Sequence, residues 1–180
     1  LFTYAAAAVM NQALGVKLPY DLMRDLQPIA QIGSSGVLLV VTTEFPARNI
    51  QEFVSLAKVN PGKMRLWNLG HLLMEVIMSK SGISLHHVTY KGVPAIVNDM
   101  LGGTIQVGWM DGMSVMPHLR SGKMRPLVSS GQRRQPLLPD VPTMVESGID
   151  MGADSWYGMF APANTPQPIV QRLNAEVNRI

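Results

Sequence analysis

Residues 87–103 read HVTYKGVPAIVNDMLGG, and this stretch decides the fold class. His87-Val88-Thr89-Tyr90 has the β-branched and aromatic make-up of a strand. The run breaks at Lys91-Gly92. Val93–Leu101 then reads as helix, with Pro94 in the first turn, where a missing N–H costs nothing. Gly102-Gly103 stops it. Strand, glycine-bearing joint and helix form half of a βαβ unit. The joint has a second property. Free backbone N–H groups and the helix dipole at an open, basic turn both favour a bound anion.

The same rhythm runs to either side. Lys63–Trp67 reads as strand and Gly70–Ser81 as helix, with Leu73, Val76, Ile77 and Lys80 along one side. Leu85–Tyr90 is strand, Thr104–Met110 strand, Met113–Arg120 helix and Met124–Ser129 strand. Alternation with short joints predicts an α/β fold whose strands are largely parallel, joined by right-handed crossovers and covered by helices. Upstream, PIAQIG at 28–33 and GVLLVVT at 36–42 read as strands, with Ser34-Ser35 as the break. Val37–Val41 is apolar on both faces, as a central strand must be. Asn49 caps a helix over 50–58 with Glu52 in its first turn, and Asn60-Pro61-Gly62 is a turn. YAAAAVMNQAL at 4–14 reads as helix. Downstream, Gln132–Pro142 holds three prolines, at 136, 139 and 142, and is predicted irregular. Thr143–Ser147 is one helical turn ended by Gly148. Asp154–Ala161 reads as strand, and Thr165 caps a terminal helix with Pro166 at its first position.

Composition narrows the function classes. A chain of 180 residues with 47% hydrophobic and 15% charged residues buries a real core, as one domain or two small ones. The net charge of +3 is dispersed; its densest cluster is Lys123, Arg125, Arg133 and Arg134. No tight basic patch interleaves with aromatics, which argues against nucleic-acid binding. There is no cysteine, so disulfides, thiolate catalysis and cysteine-ligated metal are excluded. No apolar run reaches the roughly 18 residues of a membrane span. Leu1-Phe2-Thr3-Tyr4 has no basic leader pattern and no initiator Met, and the chain ends inside a helical pattern at Asn178-Arg179-Ile180. The expectation is a piece of a longer protein.

Ligands of open α/β sheets sit outside the carboxyl ends of the strands. Three joints belong on that edge: Asn68-Leu69-Gly70, Tyr90-Lys91-Gly92 and Asp111-Gly112. Each offers a glycine and a helix N-terminus, or no more than the ordinary joint of a parallel sheet. Enzyme signatures are missing: there is no GxSxG, no GxxxxGK[ST] and no HExxH. The four histidines, 71, 86, 87 and 118, have no metal-ligand spacing. No cofactor is expected. Asp99 reads as a solvated helix residue. Asp111 reads equally as a ligand contact or as the cap of the next helix. The scattered methionines read as core filling.

The sequence also resembles the Bug-type periplasmic substrate-binding proteins of tripartite tricarboxylate transporters. Six ordered blocks carry the likeness: KLPYD at 17–21 with Asp25 and Pro28-Ile29-Ala30, AKVNPGK at 57–63, YKGVPAIVNDMLGG at 90–103, PHLRSGKMRPL at 117–127, LPDVPTMVESG at 138–148 and SWYGMFAPANTPQPIVQRLNAEV at 155–177. The resemblance implies a two-lobed periplasmic-binding-protein type II fold, here truncated, that closes on a small carboxylate. Residues 1–33 would be part of lobe 1, 34–130 the middle lobe, and 131–180 the return to lobe 1. It implies no catalysis, no direct membrane insertion, and membrane subunits of a transporter as partners. The ligand contacts would be Ser34 and Ser35 at the first crossing, Gly70, His71, Tyr90, Gly92 and Asp111 at the joints, and Ser155 and Trp156 on the return strand. Tyr90 and Trp156 read equally as packing, and Ser34 and Ser35 as a strand break. An effector-sensing domain of a transcription regulator shares this architecture, and an enzyme on the scaffold would need a paired nucleophile and base. Two departures stand out. Nothing corresponds to the family's opening strand and glycine-rich loop, and Met64–Leu72 is too short for its Ser/Gly-rich loop. A lobe without its first strand would expose a sheet edge and pair with another chain or dissolve poorly.

Overall fold

The computed structural model describes residues 2–4, 15, 19–68, 71–88, 90, 93–151 and 154–179. In chain order its elements begin with β1 (Phe2–Tyr4), α1 (Leu22–Asp25), β2 (Leu26–Ser35), β3 (Leu38–Thr42) and α2 (Ile50–Val59). The alternating part follows: β4 (Arg65–Asn68), α3 (His71–Ser81), β5 (His86–His87), α4 (Val93–Leu101), β6 (Val107–Met110), α5 (Gly112–Arg120) and β7 (Met124–Ser129). The chain closes with β8 (Ser155–Pro162) and α6 (Gln167–Val177). The helix expected over 4–14 lies, apart from Tyr4 in β1, outside the described residues. Contacts divide the chain into two units, 1–34 with 155–180, and 35–154.

The larger unit is a five-stranded sheet in the order β5-β4-β6-β3-β7. Its logic is visible in β3, where Leu38, Leu39, Val40 and Val41 are all fully buried. Period-2 alternation sends Leu39 and Val41 to one face, with Phe53 of α2 and Met74 and Ile77 of α3. Leu38 and Val40 go to the other, with Ile96 and Met100 of α4 and Val115 of α5. Helices therefore cover both faces. Met64, Met74, Met100, Met110, Met124 and Met144 are buried in these two layers, while Met23 and Met113 are exposed.

The sheet is largely parallel, as expected, with one exception. β4 runs parallel to β5 and β6, but β3 runs antiparallel to both its neighbours, β6 and β7. The three strand–helix–strand units from β4 to β7 are as read, and the odd strand is the one that leads in from residue 35. A strand buried on both faces carries the same apolar run in either direction, so its sequence holds no record of orientation. Smaller differences have local causes. The break falls at Gly36-Val37, with β2 continuing through Ser35. Pro166 is the N-cap of α6, which no side chain caps, and Thr165 lies one residue earlier, where its hydroxyl donates to the Pro162 carbonyl at 2.8 Å. Asn49 does cap α2, accepting from the Glu52 N–H at 2.8 Å.

Residues 131–154, read from the sequence with the returning lobe, pack with the five-stranded unit. Thr143 bridges Ser129 at the end of β7, and Met144 and Ile149 enter the core. The smaller unit has the sheet order β1-β8-β2. Phe2 and Tyr4 pair with Met159 and Tyr157 in antiparallel register. Ile29, Ala161 and Val170 form its core, with Met159 and Leu173 packed against it.

Candidate functional site

The sheet register fixes an edge on the larger unit. Asn68 of β4 lies beside Trp109 of β6, Met110 lies opposite Leu38, and Leu38 lies opposite Ser129. The carboxyl ends of β4, β6 and β7 and the amino end of β3 thus share one edge. His86 and His87 of β5 pair with Arg65 and Leu66, so Tyr90 belongs to the same edge. Of the sequence-derived candidates, this edge gathers Ser35, His71 as the first residue of α3, Tyr90 and Asp111. Gly70 and Gly92 lie outside the described residues. Ser34, Ser155 and Trp156 belong to the smaller unit.

Asp111 is committed within the fold. One carboxylate oxygen accepts the Ser114 N–H at 2.9 Å and the other accepts the Ser114 hydroxyl at 2.7 Å. This cap satisfies an otherwise orphaned N–H and places a negative charge at the positive end of α5. The first turns of α3, α4 and α5 all lack an acidic residue, but where Asp111 precedes α5 the residues before α3 and α4 are Gly70 and Gly92, which carry no carboxylate. An incoming anion there meets helix dipoles that no carboxylate of the same turn offsets.

Tyr90 is also fastened. Its hydroxyl donates to Asp99 of α4 in a short hydrogen bond. That bond, and burial after it, raise the Tyr90 pKa above the usual tyrosine value. The ring packs against the core layer of Ile96 and Met100. Asp99, expected to be solvated, is half-buried, and its backbone carbonyl also accepts from the Thr104 and Ile105 N–H groups at 2.8 and 3.3 Å. Tyr90 is therefore held to α4 by both its hydroxyl and its ring.

At the amino end of β3 the backbone is crowded. A Cβ on Gly36 would stand 2.3 Å from the Gly131 nitrogen and 2.5 Å from Ser129 Oγ. Only a glycine permits that approach. Val37 donates its N–H to Ser130 Oγ at 3.0 Å, and its carbonyl accepts the Ser130 N–H at 2.9 Å. The Gly36 carbonyl accepts from Gln135 Nε2 at 2.6 Å and from the Ser35 hydroxyl at 3.1 Å. Gln135 reaches this edge from the proline-rich segment, and its other carboxamide atom, Oε1, faces Gly112. Sequence reading singled out none of Gly36, Ser130, Gly131 or Gln135. The break read at Ser34-Ser35, next to Gly36, was the one local signal.

In the smaller unit, Trp156 and Phe160 are tilted against each other with ring centroids 6.3 Å apart. Gly158 lies between them on the strand, where a Cβ would come within 2.8 Å of the Phe160 ring and 3.0 Å of Trp156. With Pro28 and Asn174 these rings line an open concavity of about 540 Å³. Ser155 and Trp156 are half-buried, and Ser34 is exposed. Among the described residues no cluster of histidine and acidic side chains could hold a metal ion, and no helix is long and apolar enough to cross a membrane.

Residues 3–179 match the model of a family described as "Tripartite tricarboxylate transporter family receptor". The chain is 34% identical over 163 residues to a Cupriavidus necator protein named "UPF0065 protein in gbd 5'region", covering 88% of this chain and 50% of that one. It is 28% identical over 184 residues to protein BugT of Bordetella pertussis, covering 99% and 56%. Among solved structures, one titled "Structure of a periplasmic transporter" superposes with a TM-score of 0.89 at 30% identity, covering 99% of this chain and 62% of the other. MatC of Rhodopseudomonas palustris, with bound malate, superposes with a TM-score of 0.84 at 27% identity, covering 99% and 63%. The fold is therefore that of the periplasmic binding proteins. The chain spans about half the length of the curated relatives it matches.

Proposed function

The chain belongs to the tripartite tricarboxylate transporter receptor family, and on that premise we propose that it serves to capture a small carboxylate in the periplasm for a transporter of that class. The supporting observation is the family match over 3–179, beside a structural neighbour that holds malate. The chemistry of the edge is compatible with it. A carboxylate needs several donors, and charge-assisted hydrogen bonds to backbone N–H groups are worth about 1.5–3 kcal/mol each. The first turns of α3 and α4 offer such groups, with no acidic side chain among them. On this reading residues 68–71 and 90–93 receive the carboxylate. Asp111 organises α5 and makes no contact with the ligand. Tyr90 acts by holding its joint in place. Ser34, Ser35, Ser155 and Trp156 are contacts to be tested one by one.

Transport would follow from release of the bound carboxylate to membrane subunits, which makes those subunits the proposed protein partners. Calorimetric titration with mono-, di- and tricarboxylates, malate among them, tests the reading. Saturable one-to-one binding of at least one carboxylate is expected, with no turnover of the ligand. Absence of heat across the whole panel, from protein that is folded by circular dichroism, would overturn it.

A further inference from the structure

Gln135 occupies a place that neither its neighbours in sequence nor the joints explain. It lies in a segment rich in proline, yet its carboxamide spans two elements of the larger unit. Nε2 donates to the carbonyl of Gly36, immediately before β3, at 2.6 Å. Oε1 sits where a Cβ on Gly112, the first residue of α5, would come within 3.0 Å of it. Gly36 is the second residue after the boundary between the units, which falls at Ser34/Ser35. A single side chain is thus hydrogen-bonded to the segment that leads the chain into the sheet and lies beside the first residue of α5.

We infer that Gln135 is a positioning residue, which sets the lead-in segment Ser35–Val37 against the N-terminal turn of α5 so that the two move as one body. Three observations carry this. The Gly36 carbonyl is held by Gln135 and by the Ser35 hydroxyl. Val37 is held on both its N–H and its carbonyl by Ser130. Gly36 is pressed on Gly131, whose own Cβ position would meet Asp154 Oδ1 at 2.9 Å. The backbone at 36–37 is therefore pinned from the residues that end and follow β7, and the Gln135 carboxamide stands between it and Gly112 of α5. Asp111 then holds α5 from the other side of its first turn through Ser114. Removing the carboxamide leaves the segment and the helix each anchored, but no longer to each other.

Amide hydrogen exchange on the protein, compared with Gln135→Ala and Gln135→Glu, tests the inference. The Glu variant keeps the length of the side chain and removes its N–H donor. Loss of one part-buried hydrogen bond corresponds to roughly tenfold faster local opening. Without ligand, exchange at 35–38 and at 112–115 is expected to rise together by about that factor in both variants, with 53–57 of α2 unchanged. Acceleration confined to 132–138 would overturn the inference. So would equal acceleration in α2, which would make Gln135 a general support of the fold, or a Glu variant that behaves like the parent. A second arm adds malate and rests on the carboxylate reading. In the parent, protection at 35–38 and 112–115 is expected to appear together, and in Gln135→Ala only one of the two segments responds. Joint protection in the variant would overturn the inference. Failure of the whole carboxylate panel to bind the parent would sink the carboxylate reading instead, leaving the ligand-free arm to decide the role of Gln135.

Discussion

Gly36→Ala is the substitution with the clearest structural forecast. The new Cβ would stand 2.3 Å from the Gly131 nitrogen, 2.5 Å from Ser129 Oγ and 2.7 Å from Gly131 Cα. Two of these three atoms are backbone, so no rotamer change relieves the clash, and the segments must separate. Overpacking of this kind costs about 1–3 kcal/mol. Separation also strains the bonds from Gln135 to Gly36 and between Val37 and Ser130, each worth about 1 kcal/mol. The expected loss is about 3–5 kcal/mol, a large share of the roughly 5–15 kcal/mol of an ordinary domain. Gly33→Ala is the matched comparison. Gly33 lies three residues earlier in the chain, has no atom within 4 Å of its Cβ position and does not have positive φ. There the substitution only restricts the unfolded chain and is expected to be neutral or stabilising by up to about 1 kcal/mol. Urea unfolding of both variants at one temperature gives the comparison directly. A Gly36→Ala protein within about 1 kcal/mol of the parent would refute the crowding argument, and with it the view that residues 36–37 are pinned.

Tyr90→Phe removes the donor to Asp99 and is expected to cost about 1 kcal/mol in urea unfolding. In the parent, the raised pKa of Tyr90 implies stability that is complete below the ordinary tyrosine pKa and is lost as pH rises through the folded-state value. Alkaline titration of the parent should show that loss, and the Phe variant should lack it. Glu146 behaves in the opposite sense. The Thr143 N–H first, and Arg134 second, hold its carboxyl below the usual range, so its contribution is present above the unfolded glutamate pKa and fades as pH falls through the folded one. Thermal melts in acid should show a component that Glu146→Gln abolishes, and an identical pH profile in the two proteins would count against the Thr143–Glu146 box. Asn49→Ala deletes the cap of α2 and should cost about 1 kcal/mol by urea unfolding, with Asn49→Asp retaining most of it.

The parts of the fold that were legible in the sequence are those written in local chemistry. Val93–Leu101 and Met124–Ser129 have the bounds their patterns predict, because glycine or a basic turn closes each end. Asn49 was legible as a cap because its side chain acts within its own turn. β3 was legible as a buried strand but not as an antiparallel one, since burial on both faces erases the alternation that would betray a register. The attachment of residues 131–154 was not legible either. It rests on long-range contacts, among them the Ser129–Thr143 bridge, the Gln135–Gly36 bond and the burial of Val141, Met144 and Ile149, made by a segment whose prolines advertise only irregularity.

At the site the division is sharper. A residue type at a joint says what chemistry is available, and only the fold says whether it is already spent. Asp111 had two equal readings, and the two bonds to Ser114 settle its first commitment as capping. Tyr90 and Asp99 are nine positions apart, too far for either to imply the other from sequence alone. Gln135 and Gly36 are 99 positions apart, and their contact follows from the order β6-β3-β7 rather than from any motif. At α3 and α4 neither the first turn nor the residue before it, Gly70 or Gly92, carries an acid that would compete for the helix dipole. If the carboxylate is held there, an acidic substitution in the first turn of α4, Ala95→Glu, should weaken malate binding through direct competition. Ala95 is exposed, so the new side chain is accommodated without loss of fold. The same change at the exposed Met113, in the first turn of α5, adds charge to an end that Asp111 has already occupied, and should leave malate affinity within about twofold. Equal losses in the two variants would mean that the ligand senses only the net charge of the edge, and the assignment of the carboxylate to the α3 and α4 joints would fall.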